Sequence, residues 1–274
     1  MAAIDASTNP EVAQDALAAL AAINAGGSPT SDPGLPDAIE DVPDTQVLLP
    51  GGVLQPDGSV IRSAEVRELT GFDEEALSKT TTVGKFVEVL LERGVVEIAG
   101  QPADKDVLDQ TLSGDLDALL LAIRAITFGK EYKASYTCPG CEHAQDVVFD
   151  LTVDVPTTVL PDAERWFDIT LKSGKTVSLT LPTGKTQKVI AASTDRSDGT
   201  LNTLLLTQCV QRIEGFPSLG ARTVQALGMR DRREILEVLS ERNPGPRLSE
   251  VSRSCAECSR VNPLPLTLTD LFLG

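Results

Sequence analysis

Four of the five cysteines in this 274-residue chain form two Cys-x-x-Cys motifs. Cys138 and Cys141 make the first pair, and Cys255 and Cys258 make the second. A turn of this spacing presents two sulfurs to one metal ion, and a structural zinc site is closed by four such ligands. We therefore predict that these four cysteines bind one structural zinc ion that joins distant parts of the chain.

The cysteine pairs are open to two other interpretations. Redox-active Cys-x-x-Cys motifs lie at a helix N-terminus, which lowers the thiol pKa, whereas both motifs in this chain lie between predicted strands. Thioredoxin-like chemistry is therefore disfavoured. Local disulfides formed after release into an oxidising medium remain an alternative.

The remaining metal-binding residue types are His143 and Cys209. His143 is the single histidine and follows Cys141 by two residues, but Arg260 stands at the corresponding place in the second pair. We therefore expect His143 to be a surface residue or a neighbour of the metal ligands. Cys209 lies in an apolar helical run and is expected in the core.

The order of predicted elements in residues 46–160 recurs in residues 161–274. In each segment a hairpin turn leads to a glycine, a helix, a second glycine, a helix with an N-capping aspartate, a Cys-x-x-Cys and an alternating strand. The aspartates are Asp115 and Asp231. We predict an α+β fold of two tandem related repeats, each with a β-hairpin, helices and a cysteine-bearing β-ribbon.

Apolar periodicity places several of these elements along the chain. Helices are predicted in Val83–Gly94 and in Leu201–Gly215, which end at glycines. Alternation in Asp146–Val153 and in Pro263–Phe272 predicts the strands that follow the two cysteine pairs.

Residues 1–45 are predicted to form an extended acidic arm. Asn9-Pro10 can cap a short alanine-rich helix, and proline, aspartate and glycine form a spacer after it. One face of that helix carries four apolar residues: Val12, Ala16, Leu20 and Ile23. This face docks on a partner in one interpretation and belongs to a solvated arm in the other.

The charge distribution argues against nucleic-acid and membrane partners. The net charge is −16, and residues 1–61 contain nine acids and no lysine or arginine. Such a balance repels phosphate backbones and anionic lipid headgroups. The longest apolar run falls short of the ~20 residues of a membrane span, and the N-terminus lacks the basic start of a secretory signal. We expect synthesis in the cytoplasm.

The sequence also offers little for catalysis or nucleotide binding. A single histidine leaves one candidate base, and no nucleophile is placed beside it. Gly174-Lys175-Thr176 and Gly184-Lys185-Thr186 lack the preceding glycine of a phosphate loop. The acidic run Asp73-Glu74-Glu75 opens a helix, where the helix dipole explains it. We predict a protein that is not an enzyme and has no small-molecule substrate.

Two stretches resemble the baseplate hub proteins of contractile-tailed, T-even-type bacteriophages. They are Leu49–Leu77, which contains Arg67–Leu77 as its most specific part, and Asp115–Val153, which contains the first cysteine pair. The resemblance covers about residues 46–154 well and the second segment more weakly. It implies a non-enzymatic tail component that builds the hub or remains in it, contacting other baseplate subunits and the tail tube.

The sequence thus leads to a zinc-stabilised structural adaptor of the virion tail baseplate, in the hub or the wedge. A transient assembly chaperone that is absent from the virion is the alternative within the same system. A zinc-ribbon nucleic-acid or transcription accessory protein is the alternative from another class. Acidic residues around the cysteine pairs disfavour that last alternative: Glu142, Asp146, Asp150 and Glu257.

Overall fold

A computed structural model describes residues 45–161 and 164–273, in which helices pack on small antiparallel sheets. This confirms a fold of mixed helices and strands. The predicted arm lies outside the described residues except for Thr45.

Strands and helices alternate irregularly along the described chain. The strands are β1 (Gln46–Leu54), β2 (Val60–Val66), β3 (Val95–Ile98), β4 (Gln101–Pro102), β5 (Glu131–Thr137), β6 (Ala144–Asp150), β7 (Thr157–Thr158), β8 (Trp166–Thr170), β9 (Thr176–Thr180), β10 (Val210–Ile213), β11 (Gly245–Pro246), β12 (Ser252–Ser254) and β13 (Val261–Pro263). The α-helices are α1 (Gly71–Leu77), α2 (Val83–Gly94), α3 (Lys105–Gln110), α4 (Ser113–Phe128), α5 (Gly184–Ala191), α6 (Asp198–Cys209), α7 (Ala221–Gln225), α8 (Met229–Arg242) and α9 (Leu268–Leu273).

The first core lies between the sheet β1-β2-β3-β4 and the helices α2 and α4. Helix α2 has the predicted bounds, because the Thr82 side chain caps it by accepting a hydrogen bond from Lys85 N at 3.2 Å. Its last residue, Gly94, packs so closely on Ile123 of α4 that a Cβ would lie 2.5 Å from that side chain. Leu90 and Leu119 are among the residues buried between sheet and helices.

The second core is built mainly from the second segment, and Leu112 and Leu160 of the first segment are also buried in it. Strands β8 and β9 form a hairpin, β10 pairs with β9, and helices α6 and α8 supply apolar residues. Leu179, Leu206 and Ile235 are buried there, and Cys209 is also buried, which confirms its predicted place in the core. Each segment therefore has a hairpin whose second strand also pairs with the strand that follows its second helix.

A third apolar cluster joins the cysteine-bearing hairpin β5–β6 to residues just before and just after the other one, β12–β13. Phe149 at the end of β6 is fully buried against residues of both segments, including Val251 and Leu266. The two hairpins are thus packed on a shared core although they are far apart in sequence.

Three local predictions were wrong. The helix predicted for Leu201–Gly215 ends at Cys209, and the next four residues form strand β10. The strand predicted for Pro263–Phe272 stops at Pro263, and helix α9 follows. The predicted N-capping aspartates are not caps, because Leu112 and Gly228 hold those positions.

Asp115 and Asp231 instead lie in the first turns of α4 and α8, where both are buried. Asp115 Oδ1 accepts a hydrogen bond from the Gly51 N–H at 2.6 Å, at an irregular point in β1. Asp231 Oδ2 accepts from Ser173 Oγ at 3.0 Å, in the turn between β8 and β9. In each segment, therefore, a buried aspartate fastens a long helix to the hairpin of its own sheet.

The segments also meet by direct backbone contact. Gly114 near the start of α4 packs directly against the backbone of Pro244. A Cβ on this glycine would fall 1.4 Å from the Pro244 carbonyl oxygen. Nearby, the Ser113 N–H donates to the Pro182 carbonyl at 2.9 Å, and the Gly184 N–H donates to the Thr111 carbonyl at 2.9 Å.

Candidate metal centre

The two cysteine pairs form turns with the same backbone hydrogen bonds. In the first, Cys138 N–H donates to the His143 carbonyl at 2.9 Å, and Glu142 N–H donates back to the Cys138 carbonyl at 2.9 Å. In the second, Cys255 N–H donates to the Arg260 carbonyl at 2.8 Å, and Ser259 N–H donates back to the Cys255 carbonyl at 3.0 Å.

The two turns share a second detail of backbone geometry. Glu142 and Ser259, each four residues after the first cysteine of its pair, have φ of 59° and 58°. Non-glycine residues rarely adopt such values. In both pairs the first cysteine is buried and the second is exposed. These equivalent turns confirm that the motifs lie between strands, and neither pair stands at a helix N-terminus.

All four sulfurs lie within 4.8 Å of one another. Two close contacts join the two turns: Cys138 Sγ is 3.7 Å from Cys258 Sγ, and Cys141 Sγ is 3.6 Å from Cys255 Sγ. A tetrahedron with metal–sulfur bonds of about 2.3 Å has sulfur–sulfur edges of about 3.8 Å, whereas a disulfide bond is about 2.05 Å long. The four cysteines could therefore hold a metal ion, and the spacing is compatible with zinc.

The electrostatics of the cluster agree with a cation-binding role. The Gly140 N–H lies 3.4 Å from Cys138 Sγ, and this hydrogen bond is the main cause that lowers the pKa of Cys138 to about 6. At Cys141 the His143 backbone hydrogen bond lowers the pKa, but partial desolvation and the neighbouring sulfurs outweigh it and raise the pKa to about 12. Several adjacent thiolates repel one another, and a bound divalent cation would remove that repulsion.

The structure separates His143 and Cys209 from the candidate ligands. The group of residues suited to hold a metal, within the described ranges, consists of the four paired cysteines without His143. His143 instead supports the first turn through its backbone carbonyl. Cys209 lies in the second core, away from the four paired cysteines. Its burial there raises the pKa of its thiol to about 12.

Asn262 is a supporting residue that the sequence reasoning missed. It is buried on β13, and its Nδ2 lies 3.6 Å from Cys138 Sγ and 3.1 Å from the Arg260 carbonyl oxygen. It therefore links a sulfur of the first pair to the backbone of the second turn. Nothing local in the sequence marks this contact, because it joins positions 124 residues apart.

Further contacts join the hairpins that carry the cysteines. The Ala256 N–H in the second turn donates to Gln145 Oε1 on β6 at 3.0 Å. The Arg253 guanidinium on β12 forms an ion pair with Asp154 and lies 4.7 Å from the centre of the Phe149 ring. The candidate metal ligands are thus positioned by contacts that do not themselves require a metal.

This donor set suits a structural metal site. Four thiolates complete a tetrahedral coordination sphere and leave no position for water or substrate, whereas a catalytic zinc site keeps one position open. The neighbouring Gln145 and Asn262 support the turns through hydrogen bonds.

The two Gly-Lys-Thr triplets lie in different settings. Gly174-Lys175-Thr176 belongs to the hairpin of β8 and β9, where no helix N-terminus would face a phosphate group. Gly184-Lys185-Thr186 opens α5, but a Cβ on Gly184 would lie 2.3 Å from the Leu108 carbonyl oxygen. This helix start is therefore packed against α3 and has no room there for a phosphate group.

The chain matches one family of known proteins. Residues 66–218 match the family described as T4 bacteriophage base plate protein. No curated protein and no solved structure matches the chain significantly. Among the described helices, none combines the length and hydropathy of a membrane span. Because the family match covers more than half of the sequence, the chain belongs to the T4 bacteriophage base plate protein family.

Proposed function

We propose that this protein is a non-enzymatic structural adaptor of a bacteriophage tail baseplate, in the hub or the wedge. In this role it is stabilised by one zinc ion and holds neighbouring baseplate and tail-tube subunits together. The family match over residues 66–218 carries the baseplate assignment. The role of the chain within the baseplate is inferred from its architecture and its candidate metal centre.

The cross-segment arrangement of the cysteines supports the zinc-stabilised role. Each sulfur lies within 3.7 Å of a sulfur of the other pair. A shared ion at Cys138, Cys141, Cys255 and Cys258 closes a loop of more than a hundred residues and so restricts the unfolded chain strongly. Such a closed site gives a rigid connector rather than a reaction centre.

The order of elements supports an origin by duplication. Residues 46–160 and 161–274 each contain a hairpin, two helices, a third strand of the same sheet, further helices and a cysteine turn. The two cysteine turns share their hydrogen bonds and their positive φ. We infer two related repeats that present surfaces to neighbours from one rigid body, together with an acidic arm that attaches to another subunit.

Mass spectrometry of purified tails of the phage that carries this protein tests the proposed role. We expect the chain in intact tails, at a fixed stoichiometry relative to the other baseplate proteins. Its absence from mature tails, with presence in assembly intermediates, would instead identify a transient assembly chaperone.

The nucleic-acid alternative is tested on the purified protein. Glu142, Asp146 and Glu257 are exposed around the cysteine turns, and this charge opposes contact with phosphate groups. We expect no salt-dependent retention on a DNA column, whereas strong retention that salt removes would favour a nucleic-acid accessory protein.

A further inference from the structure

A large surface depression of the described chain is an apolar groove away from the cysteine cluster. It has a volume of about 810 Å³ and lies beside α1, the start of α2 and the end of α4. We call it the α1–α2 groove, and its large apolar lining residues are Leu69, Leu77, Val83, Phe86, Phe128 and Phe272.

Several of the apolar groups at the groove are open to solvent. Val83 and Phe128 are each 58% exposed, and Phe72, which follows the groove residue Gly71, is 82% exposed. Monomeric soluble proteins rarely expose clustered large apolar side chains unless the surface binds something. Aromatic side chains are also enriched where proteins contact one another.

The walls of the groove are fixed by contacts outside it. Helix α1 is held by Asp73, whose carboxylate binds Arg67 at 2.9 Å and Arg93 at 3.2 Å. Helix α9 is held by Arg124, whose Nε donates to the Leu271 carbonyl at 2.7 Å. The same guanidinium lies 5.1 Å from the centre of the Phe128 ring. A groove with fixed walls loses little freedom when a partner binds.

The charged residues at the groove indicate the chemistry of the partner. Of the described residues that line it, Glu68 and Glu74 are acidic, and none is a lysine or arginine. Both glutamates are exposed. The nearby Arg67 and Arg93 share the single carboxylate of the buried Asp73, so that group of three keeps one positive charge. The lining of the groove itself carries only the two negative charges of the glutamates. An occupant with basic residues beside its apolar face would complement this surface.

We propose that the α1–α2 groove receives an amphipathic helix of another protein chain, with its apolar face in the groove and lysine or arginine side chains at Glu68 and Glu74. An amphipathic helix commonly binds such a groove through residues spaced three and four apart. All named lining residues except Phe272 fall in the family-matched region 66–218. The inference rests on the proposed function, in that the helix belongs to a baseplate neighbour.

Binding of two designed helical peptides to the full-length protein tests this inference. The peptides share one leucine and phenylalanine face and carry either lysine or glutamate beside it, and fluorescence anisotropy measures their affinity. We expect the lysine peptide to bind about tenfold more tightly than the glutamate peptide, with the difference shrinking at high salt. Glu68→Gln with Glu74→Gln should remove most of that preference.

Variants of exposed apolar residues locate the binding surface. Phe128→Ser and Val83→Ser should weaken binding of the lysine peptide about tenfold or more. Val153→Ser and Met229→Ser are matched controls, because both residues are exposed apolar side chains outside the groove lining. They should leave the affinity unchanged, and unchanged melting temperatures show that all four variants fold.

Three results would overturn the inference: no binding of either peptide, equal binding of both, or binding that Phe128→Ser leaves intact. Tighter binding of a peptide with the sequence of residues 9–26 would also overturn it, since that acidic stretch would then be the preferred ligand. None of these results bears on whether the chain is found in purified tails, so the two proposals fail independently.

Discussion

The sulfurs of Cys138 and Cys258 lie 3.7 Å apart although 120 positions separate them in the sequence. Cys141 and Cys255 show the same relationship at 3.6 Å. Neither pair of neighbouring sulfurs belongs to a single Cys-x-x-Cys motif. Any ion held by the cluster must therefore be shared between the two segments.

Replacing Cys255 and Cys258 by serine tests the shared zinc site. We expect metal analysis to find one zinc ion per natural chain and none in the double variant. Hydrogen exchange in β5–β6 of the first segment should become faster as well, because an ion bound by all four cysteines would also restrain this hairpin, whose Phe149 lies in one apolar cluster with Val251.

Cys209→Ala is the matched control, since this thiol is buried in the second core outside the sulfur cluster. It should keep the full zinc content. Retention of zinc by the first cysteine pair in the double variant would refute a shared ion.

Gly114→Ala tests the backbone contact between the segments. A Cβ would fall 1.4 Å from the Pro244 carbonyl oxygen, so backbone must move. We expect a loss of about 3 kcal/mol in the free energy of unfolding, measured by urea denaturation. Gly199→Ala is the control, because Gly199 is also the second residue of a long helix but has open space around it. That change should be neutral or stabilise by up to about 1 kcal/mol.

Asp73→Asn tests the ion-pair network under α1. The Arg67 guanidinium is the main cause that holds the pKa of Asp73 far below its usual value of 3.8. We expect the variant to lose about 2 kcal/mol of its free energy of unfolding at neutral pH. This loss is smaller than for a fully buried ion pair, because Arg67 is partly exposed.

The pH dependence of Asp73→Asn follows from the direction of that shift. A lowered pKa in the folded state adds stability above the unfolded pKa, and this stability is lost as the pH falls below 3.8. The difference in free energy of unfolding between the natural protein and Asp73→Asn should therefore become smaller as the pH falls below 3.8. Glu75→Gln, which changes an exposed residue of the same helix, should have little effect on stability. A stability difference between the natural protein and Asp73→Asn that stays constant at all pH values would contradict a lowered pKa of Asp73.

Asp117→Asn tests a carboxyl placed where the segments meet. Burial raises the pKa of Asp117 from 3.8 to about 6, and a hydrogen bond with Gln187 opposes that shift only in part. The carboxyl costs nothing extra below pH 3.8, where both states are protonated. It destabilises the fold increasingly as the pH rises from 3.8 to about 6, and the full destabilisation is present above that pH.

We therefore expect Asp117→Asn to stabilise the protein by about 1–3 kcal/mol at neutral pH and by little at about pH 4. Thermal melts at the two pH values measure the difference. Asp106→Asn, on the exposed surface of α3, removes the same charge and serves as the control. A stabilisation that is as large in acid as at neutral pH would contradict a raised pKa of the partly buried Asp117.

The most accurate sequence predictions relied on short local patterns, namely a helix that ends at a glycine and the spacing of the paired cysteines. Helix α2 was predicted with the bounds that it has from its apolar periodicity and from Gly94 at its end, and the structure adds the Thr82 cap at its start. The four cysteines were assigned to one cluster from their paired spacing alone. The family resemblance was confirmed, whereas the hub assignment stays a prediction.

The errors came from apolar runs whose conformation depends on tertiary contacts. Val210–Ile213 continues the pattern of α6, but pairing with β9 makes it a strand. The run after Pro263 alternates like a strand, yet Thr267 and Asp270 hydrogen bond to each other's backbone N–H groups and begin helix α9. That Thr-x-x-Asp pattern was a readable capping signal.

The hydrogen-bond partners of Asp115 and Asp231 could not be predicted from the sequence. Position and residue type suggested N-caps, but each carboxylate binds the hairpin of its own segment. Nothing local in the sequence specifies such a long-range contact. Asn262, whose amide lies beside Cys138, could not be assigned for the same reason.

The joint use of both cysteine turns has a consequence during translation. Cys138 and Cys141 leave the ribosome long before Cys255 and Cys258. The first pair therefore lacks the other two ligands until the second segment has been synthesised. Only a chain synthesised through the later pair can complete the cluster. Prematurely terminated products therefore lack the complete set of four cysteines.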